Sequence, residues 1–292
     1  MLTFRKRQSL ARDAMKTAGR IRSQTLKLDL LAPINIYDVA ERLGVRVVFD
    51  DLKTAEGAYF KGNPASIVIT SLRPPGRQAF TCGHEFGHHV FKHGDRMDEV
   101  MNWGSNEAEE FLVNCFAGYL MMPPTVVGHS FTIRGWNLDN PTPKQAFIVA
   151  GVLGVGYTSL LNHMTYALNK LDARQFKQLQ SVQPKNIRAE LLGVPVEENV
   201  IFVDEHWPTA EISVDAEVDD YIVVPHGTIV EGGVVRHVER NDAGEIFQGV
   251  CPGKGRFMNS RLDWAVYTRI SRRNYTGFAR YRFWEDEEFD DE

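Results

Sequence analysis

Cysteine is nearly absent from this chain: Cys82, Cys115 and Cys251 are three in 292 residues, an odd number at no ligand spacing. That excludes a disulfide framework and a cysteine-based zinc knuckle, and it fits work in a reducing cytoplasm. Long apolar runs are missing as well. The longest near-candidate, Ala146 to Val155, has ten residues against the roughly 18 of a membrane span, so no membrane partner is expected. Met1 to Arg7 is basic but lacks the apolar block of a signal peptide. Charge of either sign is weak overall, at −5, although it is unevenly spread along the chain.

What is present is His84-Glu85-Phe86-Gly87-His88. Residues four apart share a helix face, so the two imidazoles can point at one divalent ion. Glu85 is rotated about 100° from them and is placed to take a proton from an attacking water. This is the His-Glu-x-x-His zincin arrangement, and it needs a third protein ligand. A metzincin would have Gly and then His at the places held here by Phe91 and Gly94, and His93 is one residue out of register. The other supplier is a carboxylate on a following helix. Asn106 to Met122 reads as one, with Asn106 as N-cap, closed by Pro123-Pro124. Glu107, Glu109 and Glu110 compete there, and periodicity alone does not choose between Glu107 and Glu110.

These two segments together resemble the ImmA/IrrE family of metallopeptidases: Phe80 to His88, followed by Glu110-Phe111-Leu112-Val113-Asn114-Cys115-Phe116-Ala117 and a close in Leu120-Met121-Met122-Pro123. The resemblance implies that His84, His88 and Glu110 are the metal ligands and Glu85 the general base. It implies zinc, with another divalent ion such as manganese as the alternative. It also implies a substrate class, a helix-turn-helix transcriptional repressor of the Xre type, cut at a limited site to release its genes. The likeness covers about residues 30 to 170 and leaves the last ninety or so untouched.

The remaining segments are read around that pair. Residues 1 to 30 hold eight Lys or Arg against Asp13 and Asp29, mostly on a helix-like stretch from Ser9 to Leu26, read as a solvated face in preference to a nucleic-acid contact. Val45 to Phe49, Glu56 to Phe60 and Ser66 to Thr70 read as strands, with Gly57 to Phe60 the candidate edge that would hold substrate in extended form. Gly128 to Pro143 reads as a loop; its His129, with Tyr119, His89 and His93, could stabilise an oxyanion. Ala150 to Leu161 resembles a helix-turn-helix, but its second helix has no Lys or Arg before Lys170, which favours packing over DNA reading. Short β-branched runs follow: 200–203, 210–214, 221–224, 228–238, 246–251 and 264–270. Between Arg256 and Trp284 seven Arg face one acid and are interleaved with aromatics, a pattern for single-stranded nucleic acid or for a protein interface, with nucleic acid not favoured. Seven of the last eight residues, 285–292, are acidic.

The expectation is an α+β fold: a zincin-like metallopeptidase domain over 1–195, with a helical, helix-turn-helix-like segment over 144–195. A small mostly-β regulatory or recognition domain over 196–284 and an acidic tail over 285–292 complete it. The expected function is a cytoplasmic zinc-dependent endopeptidase. Its rivals are a DNA-binding or regulatory protein with a structural or idle metal site, and the effector of a toxin-antitoxin or phage-defence pair.

Overall fold

The structure, a computed structural model, describes residues 2–98 and 107–285. The expected Asn106 N-cap and all of the acidic tail but Glu285 lie outside those residues. The chain is mixed α and β and divides into two units, Met1–Gln183 and Pro184–Glu292.

The first unit runs α1 (Phe4–Arg20), α2 (Ile36–Arg42), β1 (Arg46–Asp50), β2 (Gly57–Phe60), β3 (Ser66–Thr70), α3 (Pro75–Val90), β4 (Arg96–Asp98), α4 (Ala108–Met121), α5 (Pro124–Thr132), α6 (Pro143–Val152), α7 (Tyr157–Asn162) and α8 (Ala173–Gln180). Its strands lie in the order β1-β3-β2-β4, with β1 parallel to β3 and the other pairs antiparallel. The expected edge, Gly57 to Phe60, is therefore an inner strand. The chain returns after α3 and pairs Arg96–Asp98 along it, which satisfies the backbone groups that a substrate would have used.

Two prolines are read differently by the fold than by the sequence. Pro123 and Pro124 end α4, but Pro124 also stands at the start of α5, where a missing N–H costs nothing, so helix replaces the first part of the expected 128–143 loop. Ala108–Thr132 is thus long and apolar enough to cross a bilayer, which the sequence reading missed; the span is broken at the prolines, and more than half of it is buried within the protein. The α6–α7 pair bends by 102°. Tyr157, Leu160 and Leu161 of α7 are buried, and Tyr157 Oη donates to Leu179 O at 2.8 Å, so this segment packs as scaffold.

α1 buries Leu10, Ala14 and Ala18, one helical stripe, as it packs along α4. Arg22, just beyond, is buried and donates through Nη1 to Leu120 O at 3.0 Å and through Nη2 to Ala32 O. It holds one of the last carbonyls of α4, and burial pushes its guanidinium down to about 10.

In the second unit α9 (Pro184–Leu192) precedes two four-stranded sheets. The boundary expected at 195/196 falls earlier, at Gln183/Pro184, since α9 is tied to these sheets by Asn241 Nδ2 donating to Leu191 O at 2.9 Å. One sheet orders β5 (Val200–Phe202), β7 (Tyr221–Val224), β10 (Gly244–Gly249) and β9 (Val235–Asn241); the other orders β6 (Val214–Glu217), β12 (Trp264–Ser271), β11 (Gly253–Asn259) and β8 (Ile229–Glu231). They meet through Phe247 and Phe257, whose ring centroids are 5.1 Å apart. The long strand expected over 228–238 is broken at Gly232-Gly233, and β11 went unread because two glycines interrupt its alternation. Gly255 is required there: a Cβ would stand 2.9 Å from Glu231 O.

Much of the Arg-aromatic stretch is engaged internally. Arg269 pairs with Asp215 through two bonds of 2.7 Å, and Arg282 donates to the same carboxylate at 3.1 Å. Phe283 lies under both guanidiniums, 4.5 Å from Arg269 Cζ and 4.2 Å from Arg282 Cζ. This part of the patch ties the end of the unit to β6 and is not an open basic surface.

Candidate metal centre

α3 starts where Pro75 supplies a pre-set φ at the first turn, and Gln78 Nε2 ties that turn to Ser71 O at 3.0 Å and to Arg73 O at 2.7 Å. A Cβ at Gly76 would stand 2.5 Å from Gly156 N, so the helix start is set against the α6–α7 corner. Glu56, 1% exposed, takes Arg77 Nε at 2.7 Å and Arg73 Nε at 3.4 Å, which ties the beginning of β2 to α3. Two glycines on α3 then let α4 approach. A Cβ at Gly83 would lie 3.3 Å from Ala117 Cβ, and one at Gly87 would lie 2.8 Å from Val113 Cβ.

That close approach brings Glu110 to the histidines. His84 Nε2 lies 3.3 Å from Glu110 Oε2, His88 Nε2 lies 3.5 Å from Glu110 Oε1, and the two Nε2 atoms are 3.3 Å apart. Ligands at about 2.0 to 2.1 Å around a tetrahedral ion stand about 3.3 to 3.4 Å from one another, so the three donors have the edge lengths of such a site. Both histidines are buried, and the Glu110 side chain is 20% exposed. Glu107 and Glu109 face outward. Helix periodicity left Glu107 open because it counts only rotation; the packing of α4 on α3 brings the position one turn further along to the two imidazoles.

The outer nitrogen of His84 sets its tautomer. His84 Nδ1 lies 2.9 Å from Asn114 Oδ1, an acceptor, so Nδ1 carries the proton and Nε2 offers its lone pair inward. His88 Nδ1 lies 2.9 Å from His93 Nδ1, and the same tautomer at His88 makes it the donor to His93. With both histidines in that tautomer, two imidazole lone pairs and the Glu110 carboxylate converge. A divalent cation fits that set, whose donors all lie within 4.8 Å of one another.

Glu85 is fully buried on the same helix, and β2 passes directly over it at Gly57. Of the four oxyanion candidates, His93 is brought to a histidine of the centre. His89 instead meets Tyr59, whose Oη is 3.1 Å from His89 Nδ1, and burial lowers the His89 pKa. Tyr119 is turned toward Ala167 O at 3.4 Å, and His129 is half-buried on α5. Asn114 was legible only as part of a family block; its spacing of four from Glu110, which puts both on one face of α4, was the signal for its role. His163 carried no such signal. It is buried with Nε2–H donating to Met122 O at 2.9 Å, and a Cβ at Gly118 would stand 2.7 Å from its Nδ1.

Residues 40–139 match the family described as the IrrE N-terminal-like domain, peptidase family M78, a span that holds His84, Glu85, His88 and Glu110. A similar solved structure is a Mycobacterium tuberculosis transcriptional regulator, 17% identical, with a TM-score of 0.35 over 53% of this chain and 46% of that one; the chain spans less than half of its length. No curated protein matches this chain.

Proposed function

We propose, from the membership of residues 40–139 in the IrrE N-terminal-like family of M78 peptidases, that the chain is a zinc-dependent endopeptidase. The observation that carries this reading is the convergence of His84, His88 and Glu110 with Glu85 beside them on one helix. His84, His88 and Glu110 would hold the ion. When bound, it supplies Lewis acidity, polarising the scissile carbonyl and acidifying the attacking water toward a pKa of about 7. Glu85 takes the proton of that water and returns it to the leaving amine, a transfer favoured by a carboxylate that bulk water does not reach. Asn114 and His93 keep the two imidazoles in the tautomer that presents Nε2.

The substrate we assign is a helix-turn-helix repressor cut at a limited site, in a reducing cytoplasm, with the second unit and the acidic tail aiming or restraining the cut. The test is incubation of the full chain and a divalent ion with the product of the neighbouring gene, where that gene encodes a helix-turn-helix protein. Cleavage that disappears in Glu85→Gln while metal content is retained supports the reading; equal cleavage by Glu85→Gln, or none by the parent chain, leaves a structural or idle metal site in its place. In metal analysis, His84→Ala, His88→Ala and Glu110→Ala should each lose the ion and Glu107→Ala should keep it.

A further inference from the structure

We propose that the outward face of α1 is a docking surface for the phosphate backbone of duplex nucleic acid, read without regard to sequence. At about 100° per residue, Arg5, Arg12, Lys16 and Arg20 fall within about 80° of one another around the helix, with Ser9 among them. All four cations are exposed. The stripe that α1 buries, Leu10, Ala14 and Ala18, is centred about 160° away, so packing on α4 turns this row straight outward. At 1.5 Å per residue the row is about 22 Å long. Asp13, the one acid of the helix, lies at its flank.

The fold has sorted the basic residues of this segment. Arg22 points inward to the carbonyls of Leu120 and Ala32, and Arg7 lies over the Phe111 ring at 4.7 Å from its centroid. The row that remains outside takes no part in the metal centre, and the inference stands whether or not the peptidase reading does. Its form selects the partner. An anionic membrane would need the apolar face of α1, which is buried on α4. A protein partner is held by aromatic or Arg side chains packed with apolar neighbours into desolvated pockets at the centre of the contact. The row has no such apolar neighbour, since the exposed Phe4 and Met15 lie about 100° or more from its midline. A line of cations without an anchor suits a polymer of uniform charge, and duplex DNA carries one negative charge per about 1.7 Å of axis.

The experiment titrates the full chain onto two duplexes of unrelated sequence, by fluorescence anisotropy, from 50 to 200 mM salt. Four phosphate contacts predict a slope of log K against log salt of about −3 to −4, equal for both duplexes. The variant carrying Arg12→Gln, Lys16→Gln and Arg20→Gln should flatten that slope by about 3 while keeping the circular dichroism spectrum and thermal midpoint of the parent, which check its fold. Lys254→Gln with Arg256→Gln, exposed cations of the second unit, should leave the slope unchanged. The proposal is overturned if the parent does not bind, if the triple variant binds as the parent does, or if the slope follows Lys254 and Arg256. A preference for one duplex, or binding to anionic vesicles without binding to DNA, overturns it too.

Discussion

Gly57 lies so close to Glu85 that a Cβ on it would stand 2.9 Å from Glu85 Oε1 and 2.6 Å from Thr81 Cγ2. The glycine is thus required by the approach of β2 to the proposed base, and the buried Glu56 pairs with Arg77 and Arg73 to hold the strand there. Gly57→Ala should displace Glu85 or lift the strand, destabilising the first unit by about 1–3 kcal/mol. Turnover should fall with metal content unchanged. Metal analysis beside single-turnover cleavage checks this; joint loss of both would mean that β2 supports the ligands and not the base.

Asn114 and His93 touch the outer nitrogens of two of the proposed ligands, His84 and His88, at 2.9 Å each. Asn114→Ala and His93→Ala should each weaken metal affinity by about 10–100-fold without altering the number of ions bound at saturation. Asn114→Asp, which keeps the acceptor at His84 Nδ1, should recover most of the loss. Competition against a calibrated chelator measures it, and an affinity equal to the parent in Asn114→Ala would remove that residue from the site.

The two units should respond to acid in opposite directions. Burial lowers His163 to about 4, against 6.5 when exposed. The unfolded chain therefore binds more protons between those values, and the first unit loses stability as pH falls from 6.5 toward 4, by up to about 3 kcal/mol. Glu217 behaves inversely. Burial, then the nearby Asp220, raises it from 4.5 to about 7, against the lowering influence of Arg273 and of a backbone hydrogen bond with Asn274. Here the folded state binds more protons, so its contribution is full below 4.5 and is lost as pH rises through 7, a change of about 2–3 kcal/mol. Hydrogen exchange resolved by peptide at pH 5 and 7.5, on metal-free protein, should show the first unit less protected and the second more protected at pH 5. Glu217→Gln should flatten the response of the second unit.

Asp215 accepts from both Arg269 and Arg282. Asp215→Ala leaves two guanidiniums without that carboxylate, one of them on a side chain only 8% exposed, and should destabilise the second unit by about 2–3 kcal/mol. Thermal unfolding and exchange near Phe283 measure this. Metal affinity should stay as in the parent, because all the proposed ligands lie in the first unit.

The local features of this protein were legible in its residues. His84, Glu85 and His88 sit on α3 because spacing of four is a property of any helix, and the strands over 46–50 and 66–70 follow from their β-branched runs. Asn35 as the N-cap of α2 and Gly44 beyond its end, at φ +82, likewise need only local chemistry. Tertiary structure decided what depends on approach between elements. It brought Glu110 to the imidazoles through the glycine-faced packing of α3 on α4, covered β2 with β4, and drew Asn114 and His93 behind the imidazoles. It also spent Arg269 and Arg282 on Asp215. None of these follows from spacing along the chain, because each depends on which faces meet across more than twenty residues of sequence or on a strand too short to announce itself; His93, only five residues from His88, depends on a turn that no periodicity describes.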